Sequence, residues 1–265
     1  MGKIVAIGNE KGGVGKTTSV VNLAYYFSHV RNKKVLVVDM DPQCNLTDKY
    51  FDQDDESKAK PASITRKVGE ANVISFFDEE FYGKPVELNS NLHIFGATFN
   101  ISSLNNCTND EIGFFADNIN KLSEQYDYVF IDTAPSVGNL QYSALIACDG
   151  LLIPTTAEED SFQGVSKILK SVARIKNTYG LDVSVLGMYL NMVKKVPTQL
   201  QDYFATKLSE DYGDLVFKTQ VIHTTRVSEA SAFKQSIIEY DAKKAEYINI
   251  NALMQEFELK AEALS

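Results

Sequence analysis

Eight consecutive residues, Lys11-Gly12-Gly13-Val14-Gly15-Lys16-Thr17-Thr18, have the types and spacing to hold a polyphosphate. Gly12, Gly13 and Gly15 let the backbone curl until several N–H groups point into one concavity. A helix starting directly after them aims its N-terminal dipole at the same point. Lys16 is placed to bridge β- and γ-phosphates, Thr17 to ligate magnesium, and Thr18 to hydrogen-bond the α-phosphate. The usual pattern is G-x-x-x-x-G-K-[ST], and Glu10 stands where its first glycine belongs. The plain alternative is a glycine turn with no ligand. Three glycines followed by Lys-Thr-Thr, between an apolar strand and a helix, disfavour it. MgATP is the expected ligand, with Mg2+ as cofactor and ATP as substrate.

Carboxylates occur at two further places. Asp39-Met40-Asp41-Pro42-Gln43 closes an apolar strand, and alternation puts Asp39 and Asp41 on one face if that strand continues. Asp132 ends a second apolar strand. An acidic residue at the carboxyl end of a parallel strand falls beside the phosphate loop. The alternative for both is that the aspartates cap strand ends.

These groups need a scaffold. Lys3–Gly8 and Lys34–Asp39 are short apolar runs flanking the loop and the amphipathic stretch Thr17–Val30, which together read as a βαβ unit. Strands are expected at Leu92–Gly96, Tyr128–Asp132, Gly150–Pro154 (ended by its proline) and Val183–Asn191. Helices are expected at Ile64–Phe77, Asp110–Glu124, Leu140–Ala147, Ser161–Thr178, Thr198–Tyr212 and Asp241–Ala263, with an exposed loop at Asp52–Lys60. The alternation predicts an α/β fold over residues 1–265: a mostly parallel, twisted sheet with helices on both faces.

Composition sets limits. The chain has 265 residues, 44% hydrophobic and 23% charged, enough for a sizeable core. No apolar run approaches the roughly 18–20 residues of a membrane span. No secretory pattern precedes the loop, so a cytoplasmic location is expected. Cys44, Cys107 and Cys148 are scattered and read as thiols, neither a disulfide frame nor a metal site. The net charge of −9 argues against a dedicated nucleic-acid binder but permits a local basic patch.

The pattern K-G-G-x-G-K-[ST], with Lys11 as its early lysine, resembles the deviant Walker A loop of the ParA/MinD class of ATPases. Segments Asp39–Leu46, Tyr126–Asn139, Asp149–Gly164 and Val221–Asp241 extend the resemblance, the last toward ParA/Soj partition ATPases. The resemblance implies an ATPase that dimerises on MgATP, with Lys11 reaching phosphates bound by the other subunit. It implies that Asp41 positions the attacking water near the magnesium and that Asp132 holds the metal, usually through water. Lys11, Lys16 and Asp41 are thereby the expected catalytic group, and Thr17, Asp41 and Asp132 the expected metal group. Asn191 is either an adenine contact or a capping asparagine. Thr133-Ala134-Pro135-Ser136 replaces the family's C-P-P-S. The acidic end, Gln255–Glu262, does not suit the membrane-binding helix of MinD-like relatives.

The same resemblance implies non-specific binding of double-stranded DNA, nucleoid association, and a ParB-like centromere-binding partner that stimulates hydrolysis. Arg226 matches the second arginine of the family's P-R-N-V-R-L-[SA]-E-A segment, while His223 replaces the first. Lys194, Lys195, Lys218 and Lys234 are the other expected phosphate contacts, with Lys243 and Lys244 further on. The alternatives are that these are ordinary solvated charges, and that the ATPase positions a non-DNA cargo.

Overall fold

The computed structural model describes residues 2–51 and 68–264. The loop expected at Asp52–Lys60 and the start of the helix expected at Ile64–Phe77 lie outside the described residues.

Seven strands form one sheet in the order β3-β4-β2-β5-β1-β6-β7. They are β1 (Lys3–Ile7), β2 (Val35–Met40), β3 (Val86–Asn89), β4 (Leu92–Phe95), β5 (Tyr128–Thr133), β6 (Gly150–Thr155) and β7 (Val185–Leu190). All neighbours are parallel except β3 and β4, a short antiparallel hairpin at one edge. The expected mostly parallel sheet is therefore present. β3 escaped the sequence reading because its half-exposed residues make no apolar run.

Alternation along each strand builds two cores. Ile4, Ala6, Leu36, Val38, Val129 and Ile131 face one side. There they meet α3 (Asn109–Ser123), α4 (Asn139–Ala147) and α5 (Glu159–Tyr179) through Phe115, Leu145 and Ile168. Val5, Ile7, Val35, Val37 and Phe130 face the other side, against α1 (Lys16–Tyr25) and α10 (Ile250–Glu262). Phe27, in a π-helical turn continuing α1, sets its ring edge-to-face with Phe257 at 5.7 Å between centroids and tilted against Phe130 at 5.9 Å. Each such fully buried ring contributes roughly 2 kcal/mol, so this triad fastens both helices to the sheet.

Three expectations are corrected. Within Ile64–Phe77 the described part holds two 3-10 turns, Gly69–Ala71 and Val73–Phe77, broken where Asn72 adopts an extended backbone and caps the second turn. Pro154 does not end its strand. Leu152 O on the same strand side accepts from Gly8 N, but β1 stops at Ile7, so the N–H that Pro154 lacks would have no ladder partner. Asp241–Ala263 is not one helix. Asn249, at φ 68°, separates α9 (Ala242–Tyr247) from α10. The remaining helices among the described residues are α2 (Asn45–Tyr50), α6 (Gln199–Tyr212), α7 (Thr225–Ala232) and α8 (Ile237–Tyr240). A capping box at Thr198 and Gln201 starts α6.

Candidate active site

The register of the three central strands aligns Ile7 and Asp39 with Asp132, so the carboxyl ends of β1, β2 and β5 open on one cleft. The cleft has a volume of about 620 Å³ and is lined by the glycine loop, Thr17, Thr18, Asp41, Gln43 and Pro135, together with Lys49, Ser231 and Lys234.

Side chains outside the motif fix the loop's shape. Asn9 is fully buried. Its Nδ2 donates to Pro154 O at 2.9 Å and its Oδ1 accepts from Lys11 N at 2.9 Å. Asn191 Nδ2 donates to Val14 O at 2.8 Å and its Oδ1 accepts from Met192 N. Gly15 has φ 95°, and a Cβ there would lie 2.4 Å from Asn191 Nδ2, so both backbone and space demand glycine. At Gly164 of α5 a Cβ would meet Asn9 Oδ1 at 2.3 Å, so helix α5 can lie against the loop only without a side chain there. Glu10, the departure from the usual motif, accepts a hydrogen bond from Ser171 Oγ on α5 at 3.0 Å. Sequence reasoning missed Asn9; its signal was an asparagine closing an apolar strand immediately before the loop.

Lys16 lies across the loop with Nζ 3.1 Å from Asn9 O and 3.2 Å from Lys11 O. It is only 7% exposed. Burial pushes its pKa down, opposed by the negative charges of Asp132 and Asp41. Lys11 does not enter the cradle. Its Nζ pairs with Asp160 Oδ2 at 2.9 Å on the exposed first turn of α5. An exposed ion pair of this kind is worth at most about 1 kcal/mol, so it holds Lys11 only loosely.

The two aspartates of the D-x-D turn separate in role. Asp39 is buried, and its oxygens accept from Asp41 N at 3.0 Å, Thr47 N at 2.8 Å and Thr47 Oγ1 at 2.7 Å. Burial pushes its pKa up to about 6 despite those hydrogen bonds. Asp39 therefore pins the turn. Strand β2 ends at Met40, so Asp41 leaves the strand for the cleft wall, where Oδ1 accepts from Gln43 N at 2.9 Å.

Asp132 is fully buried; among the described residues neither carboxylate oxygen receives a hydrogen bond of good geometry, and the Thr17 hydroxyl is the donor close enough to act on it. Burial and the neighbouring Asp39 charge push its pKa well above the ordinary carboxylate range. A buried carboxyl whose oxygens are left under-satisfied is costly unless something else completes them. A water-carrying cation at the Lys16–Thr17 end of the cleft would do so. Among the described residues no three His, Cys, Asp or Glu side chains group as a closed metal cage. Magnesium needs none, because it keeps waters and takes phosphate oxygens beside one or two protein ligands. The residues present fit it.

Behind Thr18 a smaller, mostly apolar pocket runs between Asn191, Tyr189, Val221, Val227 and Met254. Tyr189 shares a 2.6 Å hydrogen bond with Ser19. The pocket offers flat apolar walls and a few polar groups next to the phosphate loop, as a nucleobase requires.

The basic residues singled out in the sequence do not form one patch; Lys195 and Lys244 meet at a single ring and the others are spread over the surface and the clefts. Lys194 lines a groove beside Lys11. Lys195 lies over the Tyr247 ring at 5.6 Å, and Lys244 shares that ring at 4.8 Å. Lys218 is exposed, and its backbone N–H donates to Glu256. Arg226 is paired with Glu229 at 2.6 Å and reaches Asp241 at 4.0 Å. Lys234 stands in the wall of the phosphate cleft. His223 is exposed and borders the groove beside Lys11.

Among the described residues no helix is long and apolar enough to cross a membrane. Residues 2–185 match the family model described as an AAA domain. Over 247 residues the chain is 32% identical to the sporulation initiation inhibitor protein Soj of Bacillus subtilis, covering 92% of this chain and 93% of that protein. It is also 32% identical to the chromosome partitioning protein ParA of Myxococcus xanthus, covering 92% of this chain and 83% of the relative. The fold is similar to a solved putative plasmid partition protein from Borrelia burgdorferi B31 bound to AMPPNP. That match has a TM-score of 0.77 and 22% identity, over 98% of this chain and 99% of the other.

Proposed function

The chain belongs to the Soj/ParA family of partition ATPases, and we propose that it is an ATP-driven switch for moving DNA. As one ATPase unit over residues 1–265 it dimerises on MgATP, binds double-stranded DNA without sequence preference, and comes apart when ATP is hydrolysed to ADP and phosphate. The single observation that carries this reading is Lys11. It belongs to the phosphate loop, yet its ammonium is directed at exposed Asp160 and leaves its own cradle to Lys16. A loop lysine held loosely at the rim can serve phosphates presented by a second subunit.

Phosphoryl transfer asks mainly for position and electrostatics. Lys16 neutralises β- and γ-oxygens, the loop N–H groups hold the chain of phosphates, and Thr18 takes an α-oxygen. Asp41 orients the attacking water in line with the leaving β-oxygen. Thr17, Asp41 and Asp132 would hold magnesium, which when bound draws charge from the β- and γ-oxygens. The adenine occupies the pocket behind Thr18, with Asn191 at its edge. Because both polar ends of Asn191 already serve Val14 O and Met192 N, that residue acts chiefly by holding the loop under the base.

Lys11→Ala is expected to leave a monomer that still binds ATP within a few-fold of the wild type. Size-exclusion chromatography with light scattering in MgATP tests this. ATP-dependent dimers of the variant, at wild-type protein concentrations, would remove the cross-subunit role.

DNA contact is expected around Tyr247, where Lys195 and Lys244 converge, with Lys194 nearby and Arg226 and Lys218 further along the surface. A ParB-like partner that stimulates hydrolysis and a cytoplasmic, nucleoid-associated location complete the reading. Each phosphate contact contributes to a salt-dependent affinity. Lys195→Glu combined with Arg226→Glu is expected to abolish DNA binding in MgATP at moderate salt, while basal ATPase activity stays within about twofold. Fluorescence anisotropy on a labelled duplex reads the first, phosphate release the second. Arg226, already neutralised by Glu229, favours a second reading in which the switch positions a non-DNA cargo. No DNA binding by the wild type at low salt would select it.

A further inference from the structure

Lys49 and Lys234 line the phosphate cleft together with the glycine loop. Lys49 sits in the last turn of α2, the helix that follows the D-x-D turn. Its Nζ donates to the carbonyl and the hydroxyl of Ser231, near the end of α7. Lys234 follows α7, and its Nζ donates to Phe51 O at 3.0 Å, just past the end of α2. The Lys234 ammonium is close enough to act on Lys49. Burial pushes the Lys49 pKa down and the Lys234 charge pushes it further. Asp48 is the acidic neighbour.

The backbone at Lys234 is the second observation. Its φ is 59°, the left-handed region. Lys234 N donates to Ser231 O and Gln235 N to Ala230 O, the bonds that close the end of a helix. Glycine ordinarily takes such a position because it has no Cβ to clash. A lysine there carries backbone strain, and strain at a cleft wall points toward function. The strain brings a cation to within reach of the same space as Lys16, Thr17 and Asp41.

We propose that Lys49 and Lys234 form a second cationic wall of the nucleotide cleft and bind the outer oxygens of the polyphosphate. Among the described residues their acceptors include the neutral Ser231 and Phe51 carbonyls, which are exchanged for phosphate oxygens when the nucleotide enters. A hydrogen bond to a charged acceptor is about twice as strong as one to a neutral acceptor, which drives the exchange. The inference rests on the reading of this cleft as the ATP site. It moves Lys234 from the expected DNA surface to the nucleotide. Both lysines are half-buried in the lining of the cleft that also holds Asp41, a setting suited to a short polyphosphate and poorly to a duplex.

The test uses the full chain with Lys49→Met and Lys234→Gly. Methionine keeps most of the apolar stem. Glycine relieves the left-handed backbone, so the thermal midpoint of that variant should hold or rise. Titration calorimetry with MgATP and with MgADP is expected to show each variant weakened about tenfold, with a larger loss in the double variant. Inorganic triphosphate, used as a competitor, should show the same ranking. Binding of MgATP within about twofold of wild type in both variants overturns the proposal. So does selective loss of duplex DNA binding with unchanged MgATP affinity, which would return Lys234 to the DNA surface. If the wild type itself does not bind MgATP, the ATP reading of the cleft falls, and the proposal with it. If the wild type binds and Lys16→Ala does not, unaffected Lys49 and Lys234 variants overturn the second wall alone.

Discussion

Lys16→Ala is expected to weaken MgATP binding by at least about a hundredfold, near or above 3 kcal/mol. The reason lies in what surrounds the lysine. Asp39, Asp41 and Asp132 crowd the carboxyl ends of two adjacent strands, and all three are buried. A polyphosphate entering that corner brings further negative charge. Lys16 is the buried cation there, 7% exposed and fixed by two loop carbonyls. Alanine leaves the phosphates at the loop facing carboxylate without the loop's own buried cation between them. The loop itself should survive, because Asn9 and Asn191 anchor it independently at Pro154 O and Val14 O. Calorimetry on a variant whose circular dichroism and melting match wild type checks both halves. Affinity retained within about tenfold would show that the loop does not cradle phosphate in the way described.

Asp41→Ala should have the opposite signature. ATP binding is expected to stay within a few-fold, while single-turnover hydrolysis falls by about 10²-fold or more. ATP-bound dimers should accumulate in light scattering, because the step that separates them is blocked. Asp41 can be removed at small structural cost: its Oδ1 accepts only the Gln43 N–H within its own turn. Asp39, two residues away, is not a substitute. Its oxygens are committed to Asp41 N and to both donors of Thr47. Rapid hydrolysis by the Asp41 variant would take the water-positioning role from this residue.

Much of this site was readable before the fold was known. The strand, glycine loop, helix and second strand are contiguous. Their signals are local: continuous apolar runs for strands buried on both faces, and glycines where φ must be positive. The observed φ of 78° at Gly13 and 95° at Gly15 are what that loop needs. Other features were not readable. Val86–Asn89 has no apolar run. Asn249 breaks a helical pattern that the residue types alone would continue. Pro154 reads as a stop, and becomes harmless only because the neighbouring strand is shorter.

The sequence by itself determined the phosphate chemistry, since eight adjacent residues carry it and a tight turn brings their groups together whatever surrounds them. Tertiary structure decided the division of labour. Asp39 and Asp41 are equivalent on paper; the end of β2 at Met40 and the reach of Thr47 make one a buried pin and the other a cleft residue. Asp132 comes to the cleft beside Asp39 and the phosphate loop because β5 lies between β1 and β2. Lys49 and Lys234 meet across a wide stretch of chain, and Lys11 turns to Asp160 on a distant helix. Such pairings depend on strand order, register and helix ends. Those are set by the packing of the two cores and not by the residue types at the site.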